Sequence, residues 1–241
     1  DSECDDETAR IVAERMMGQT FSVCSQIVEE EICSMEDVDR GAKVGLRWTQ
    51  GPFELANRIG VAEASRMATQ YAELAGLSIP GWMSRRDEPF EFSYVDVSIE
   101  GKVATVLINR PEAMNALNVT LVAQLDATIA ELNSRSDIDT IVLEGAGKAF
   151  VAGADVKFFV DKIRADSFPD IDEFTRDGHV MLNRIEGSPH TTIALTTGLA
   201  LGGGLELALS CDYRIGTERT MLRFPETSIG IYPGLGGTQR S

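Results

Sequence analysis

Apolar residues in the first third of the chain recur at helical spacing. From about Glu7 to Glu31, Val12, Met16, Val23 and Ile27 fall on one stripe, widened by Ile11, Phe21 and Val28, which predicts a long amphipathic helix. Ser34 with Asp37 three positions on has the spacing of a capping box and opens a second helix, carrying Val38 and Ala42 and stopped near Gly45. Pro52 suits the first turn of a third, PFELANRI, which Gly60 closes. A fourth places Ala64, Met67, Ala68, Tyr71 and Leu74 on its apolar side. Residues 1–76 are therefore expected to form an all-α bundle.

The period disappears from Leu77 to Glu91, where LSIPGWMSRRDEPFE collects Pro80, Gly81 and Pro89 among charges, the composition of a linker. Beyond it the pattern alternates. YVDVSI and VATVLIN read as strands flanking a turn at Glu100 and Gly101. A helix with Leu121, Leu125, Ile129 and Leu132 on one face follows, and then the strand TIVLEG. Another strand, TIALTT, runs towards a glycine cluster. Residues 92–241 thus read as α/β, and the whole as an α+β chain in two parts joined by a linker over 77–91.

Composition changes this picture mainly by exclusion. The net charge is −16, with acidic residues in excess in both halves, which disfavours nucleic acid and anionic membrane as partners. No apolar run reaches the roughly 18 residues of a membrane span, and the polar start DSECDDETAR has no signal-peptide pattern, so the expected compartment is cytoplasmic. Cys4, Cys24, Cys33 and Cys211 form no CxxC pair, and His179 and His190 complete no zinc pattern; no metal is expected, and the thiols read as reduced and structural. The chain opens on Asp1 without a methionine and stops in the glycine-rich GLGGTQRS, so it is read as a piece of a longer protein.

The candidate chemistry centres on LALGGGLELALSCDY. Glycine costs roughly 1 kcal/mol against alanine inside a helix, so Gly202, Gly203 and Gly204 at a helix entrance need a reason. Bare amides at a helix start point outward, unpaired and partly positive, and can hold an oxyanion. The alternative is a tight strand-to-helix turn packed under a neighbour. Glu206 lies on the first turn after the glycines and Glu226 twenty positions later, in LRFPETSIG. Two carboxylates in an apolar site could share one water and deliver its parts to adjacent carbons, without metal. On spacing alone the structural reading comes first, in which Glu206 serves only the helix dipole and Glu226 only caps TSIG.

Four stretches, NRPEAMNAL, GKAFVAGADVKFF, GLALGGGLELALSCDYRIG and RFPETSIGIYPGLGGTQR, resemble in order and spacing the signatures of the enoyl-CoA hydratase/isomerase (crotonase) family. The resemblance implies a ββα spiral core, here without its C-terminal helices. It also implies that the amides of Ala154 and Gly203 form an oxyanion hole for a thioester carbonyl. Glu206 then deprotonates water for attack at C3, and Glu226 protonates C2. Substrate would further be met by Ala113, Asn115 and Ala116, largely through backbone, by Ala152, Gly153 and Asp155, by Gly202 and Gly204, and by Lys157 at the CoA phosphates. Many family members have lysine where this chain has Glu112, and lysine or proline and asparagine where it has His190 and Thr197. The implied partner is an acyl-CoA, in a homo-oligomer when the chain is full-length.

The first half is similar, through VEEEICSMEDVDRGAKVGLRWTQGPFELANRIG, to the C-terminal helical domain of 3-hydroxyacyl-CoA dehydrogenases. That family's dinucleotide fold would precede this domain, and no GxGxxG fingerprint occurs here; NAD is implied for the missing part alone, and no cofactor for this piece. Where that family has a substrate-contacting asparagine, the nearest match is Glu14. Dehydrogenase followed by hydratase is the order of certain fused fatty acid β-oxidation enzymes. The expected function is the enoyl-CoA hydratase module of such a bifunctional protein. The alternatives are a Δ3,Δ2-enoyl-CoA isomerase, another reaction through an acyl-CoA enolate, and a non-catalytic acyl-CoA binding or assembly module.

Overall fold

A computed structural model describes residues 5–79 and 81–241. Cys4 and Pro80, both used in the sequence reading, lie outside the described residues. The chain divides into two compact units, with the break between Phe92 and Ser93.

The first unit is helical. α1 (Asp6–Glu29) is capped by Asp5, whose side chain accepts from the Thr8 amide, and α2 (Met35–Gly45) by Ser34, which accepts from the Asp37 amide. α3 (Pro52–Ile59) starts on Pro52, and α4 (Val61–Ala75) ends on Gly76 in the left-handed conformation. The core contains Phe21, Phe53, Ala56, Val61, Ala64, Met67 and Ala68.

Two expectations are corrected here. The stripe assigned to α1 is buried only in part: Val12, Met16 and Val23 are exposed, Phe21 lies in the core with Val28 packed against it, and the other buried positions are Gly18, Ser22 and Ser25. α4 approaches α1 so closely that a Cβ on Gly18 would stand 2.5 Å from the Met67 carbonyl oxygen, so small residues fill the contact. Nor is 77–91 a detached linker. It forms α5 (Gly81–Ser84) and sends Met83 and Phe90 into the helical core. Its backbone is held by side chains, with Met83 N–H donating to Ser25 Oγ and Asn57 bonding both the N–H and the carbonyl of Phe90. Anchors of this kind leave no periodic trace in sequence.

The second unit carries two sheets. β1 (Val95–Glu100) and β2 (Val103–Ile108) form an antiparallel hairpin, and β3 (Thr140–Gly145) joins β2 in parallel after α6 (Val119–Asn133). β4 (Ala149–Ala152) leaves for a second sheet, followed by α7 (Val156–Arg164) and α8 (Phe168–Glu186). β5 (Thr191–Thr196) returns beside β3, and β6 (Leu199–Leu201) pairs with β4 and leads into α9 (Gly203–Leu209). β7 (Tyr213–Gly216) and β8 (Met221–Arg223) repeat the step, and α10 (Gly237–Arg240) follows. The sheets are ordered β1-β2-β3-β5-β7 and β4-β6-β8. Each of the pairs β3/β4, β5/β6 and β7/β8 gives one strand to each sheet, which makes a ββα spiral and an α+β chain in two parts, as expected from the sequence. The pattern of apolar positions marks neither the second sheet nor α8.

Candidate active site

Three neighbouring glycines between β6 and α9 have three different local causes. Gly202 has φ +49° and ψ −121°, a combination that glycine alone adopts without strain, and a Cβ there would run into Glu226 Oε1. Gly204 lies flat on β4, where a Cβ would occupy the position of the Val151 carbonyl. Gly203 is under neither constraint. The tightest contacts of a Cβ there would be the ends of Leu117 and Leu235, at 3.2 and 3.4 Å. As the first residue of α9, its N–H has no intrahelical acceptor.

Ala154 reaches the same place from the loop between β4 and α7. The Leu117 amide donates to Gly153 O and the Asp155 amide to Leu117 O, both at 2.8 Å, so the bridge passes over the Ala154 amide. A Cβ on Gly203 would lie 3.8 Å from Ala154 N. Ala154 and Gly203 are therefore neighbours at the edge of a cavity of about 280 Å3. Ala152, Gly153, Ala154, Gly202, Gly203, Glu206 and Glu226 all line it, with Val156, Phe159, Phe174, Leu201, Ile231, Tyr232 and Leu235 supplying apolar walls. Phe159 and Phe174 are backed by Phe158, the rings meeting at centroid distances of 5.2 to 5.6 Å.

Glu206 sits on the first turn of α9 and is 1% exposed. Its Oε1 accepts two backbone hydrogen bonds, from Leu235 N at 2.8 Å and Gly237 N at 2.7 Å. Burial pushes its carboxyl above the ordinary glutamate range; the Gly237 and Leu235 amides oppose this, the Glu226 charge adds to it and His179 opposes it. Glu226 opens the 3-10 turn Glu226–Ile229, and its Oε2 is buried without a hydrogen-bond partner among the described residues. Ala154, Gly203 and two carboxylates, one of them with an oxygen that has no partner among the described residues, line one apolar space. Such a site can stabilise a developing oxyanion and move protons beside it. Among the described residues, no group of three His, Cys, Asp or Glu side chains could hold a metal ion.

The remaining sequence-nominated residues lie outside the cavity. Asn115, at φ +58°, is fully buried; its amide donates to the carbonyls of Ala146, Ala149 and Phe150 and its oxygen accepts from Arg110 N. Its side chain pins the loop, with both amide hydrogens committed to backbone carbonyls. Ala113 N–H donates to Arg110 O, and Ala116 O accepts from Arg110 Nη1. Asp155 caps α7 through the Lys157 amide and pairs with Arg110 at 3.0 Å, joining the 109–117 loop to the segment that presents Ala154. Lys157 is exposed on the first turn of α7. Gly204 is buried in the contact with β4.

Residues 103–240 match the family model described as enoyl-CoA hydratase/isomerase. The chain belongs to that family. Residues 11–85 match the model of the 3-hydroxyacyl-CoA dehydrogenase C-terminal domain, so a helical domain of that type precedes the hydratase/isomerase domain. The short-chain-enoyl-CoA hydratase of Clostridium acetobutylicum is 41% identical over 151 residues, 62% of this chain and 56% of that protein. The crotonyl-CoA hydratase of Syntrophomonas wolfei is 39% identical over 142 residues, 58% of this chain and 53% of that protein. A crystal structure of enoyl-CoA hydratase from Bacillus anthracis superposes with a TM-score of 0.58 at 33% identity, covering 61% of this chain and 57% of that one. The chain thus spans a little over half the length of the curated relatives it matches.

Within this hydratase/isomerase domain, sequence reasoning missed the groups that hold Glu206. Leu235 and Gly237 act through N–H groups that every residue but proline carries, so residue identity could not reveal them. The signal available was the GLGG turn itself, where Gly236 takes φ +95°.

Proposed function

We propose that the second unit adds water to a 2-enoyl-CoA thioester and gives the 3-hydroxyacyl-CoA. The observation that carries this reading is the convergence of Glu206, Glu226 and the Ala154 and Gly203 amides on one apolar cavity. The thioester oxygen sits between the two amides. Glu206 takes a proton from water, the water oxygen bonds to C3, and the C2–C3 π electrons move towards C1, placing the enolate charge on that oxygen. Protonated Glu226 then gives its proton to C2 on the same face, and redistribution of one proton between the carboxyls resets the site. One such amide donor typically contributes about 10²–10³ in rate. The raised affinity of Glu206 for a proton brings it nearer to neutral pH, where a general base works best. An isomerase needs only one carboxylate to carry a proton along the chain; two at one cavity favour hydration.

Crotonyl-CoA is the test substrate, with loss of enoyl thioester absorbance as the readout. Glu206→Gln and Glu226→Gln should each lower turnover by about 10² or more, as for positioned acid and base groups. Near-wild-type rates in both would end the two-glutamate assignment.

A 3-hydroxyacyl-CoA dehydrogenase activity is proposed for the longer protein, and with it a place in fatty acid β-oxidation, in a cytoplasmic homo-oligomer. NAD does not fit the first unit. Among the described residues the first unit has five helices and no strand, so it offers no strand–turn–helix crossing to bring a pyrophosphate to a helix start.

A further inference from the structure

The two amides that reach Glu206 belong to the turn that opens α10. Leu235 N and Gly237 N flank Gly236, which is in the left-handed region. Leu235 is buried beside Gly178, and one polar side chain ties the backbone of the turn to α8. Arg240 is 10% exposed and donates from Nη1 to Leu235 O at 3.1 Å. Its Nη2 donates to Asn183 Oδ1 at 2.7 Å and Glu186 Oε2 at 2.8 Å, and its Nε to Glu186 Oε2 at 3.0 Å, both acceptors on α8. A Cβ on Gly236 would enter the space of the Arg240 guanidinium, so the turn is shaped around it. The peptide units on either side of Leu235 are thereby joined into one relay: α8, guanidinium, Leu235 carbonyl, turn, Glu206.

We propose that Arg240 is a positioning residue for Glu206, tying the Leu235–Gly237 turn to α8 so that two N–H groups converge on Oε1 and leave the other carboxylate oxygen to the reacting water. This rests on the hydratase reading for its catalytic consequence, though not for its geometry. Arg240 acts through backbone. The titratable groups that bear on Glu206 are Glu226, on the 3-10 turn 226–229, and His179, on α8. Loosening the turn removes amides that favour the ionised form while burial and Glu226 remain, so Glu206 should take up its proton at higher pH.

The test is a carboxyl ¹³C NMR titration of Glu206, assigned with Glu206→Gln, beside the pH profile of kcat/KM for crotonyl-CoA. In Arg240→Ala the Glu206 midpoint should rise by about one unit, the acid limb should move with it, and kcat/KM on that limb should fall about tenfold. Arg240→Lys, whose single ammonium cannot span Leu235 O and both α8 acceptors, should fall between. An unmoved midpoint in folded Arg240→Ala overturns the proposal. If that variant does not fold, Asn183→Ala/Glu186→Ala keeps the guanidinium and strips its anchors; its midpoint must rise, and an unchanged one overturns the proposal equally. A shifted midpoint in a protein that hydrates no enoyl thioester sinks the hydratase reading and leaves the positioning role. Hydration with an unmoved midpoint does the reverse.

Discussion

Adding one methyl at each of Gly202, Gly203 and Gly204 should give three different outcomes. At Gly202 the backbone angles cost an L-residue about 1–3 kcal/mol, and the methyl displaces Glu226 Oε1, the end of a flexible side chain. Gly202→Ala should therefore fold with a moderate loss of stability and lose turnover by tenfold or more. At Gly204 the obstacle is the Val151 main-chain carbonyl on β4, which cannot turn aside without breaking the β4–β6 register. Gly204→Ala should lose about 3 kcal/mol or more, in the range of severe overpacking, or fail to fold. At Gly203 the contacts at 3.2 and 3.4 Å are ends of two leucines, so Gly203→Ala should stay within about 1 kcal/mol of wild type and keep its amide. Urea unfolding gives stability, and crotonyl-CoA hydration gives turnover. Equal destabilisation at all three sites, or wild-type turnover in folded Gly202→Ala, would refute the assignment of separate causes.

Gly203→Pro deletes the proposed donor at a helix position that tolerates proline, and should cost about 2.7–4 kcal/mol of transition-state stabilisation in a protein with wild-type circular dichroism. A folded variant keeping more than about a tenth of the rate contradicts the oxyanion role. The 241-residue chain should bind no NADH in titration calorimetry; micromolar affinity would overturn the domain reading. Burial raises the Asp39 carboxyl to about 6 against the Phe53 and Glu54 amides, so it ionises less readily folded than unfolded; its favourable contribution is full below about pH 4 and is lost as pH rises through about 6. Wild type should accordingly lose stability relative to Asp39→Asn between those values, and a flat difference would refute the argument.

Helix ends were more legible than helix faces. Ser34, Pro52 and Gly60 mark boundaries because their chemistry is local: a side-chain acceptor, a fixed φ and a residue at φ +97°. The buried side of α1 was not legible, because Gly18, Ser22 and Ser25 are inside through a close helix approach, and hydrophobicity ranks them below the exposed Val12 and Met16. β6 and β8 have three residues each, too few for alternation to register, so the second sheet was invisible to pattern. Within the site, Glu206, Glu226 and the glycines were legible by residue type and motif. The structural role of Asn115 was not, since only its surroundings show that its amide hydrogens go to three backbone carbonyls.

Two carboxylates in this chain invite the same functional inference, and the comparison shows what the inference needs. Asp39 and Glu206 are each 1% exposed, each accepts two backbone N–H bonds, and burial raises both. Their surroundings differ. Asp39 receives the Phe53 and Glu54 amides at the start of α3, and Gly51 packs so close that a Cβ would fall within the carboxylate. It is a helix cap with its open side closed by chain. The amides on Glu206 come instead from a separate turn held by Arg240, and the carboxylate keeps a side on an apolar cavity. Glu226, Ala154 and Gly203 line the same cavity. Perturbed protonation alone would nominate both residues. What separates a proton carrier from a structural acid is the space beside it and a second group able to finish the transfer, and of these two only Glu206 has both.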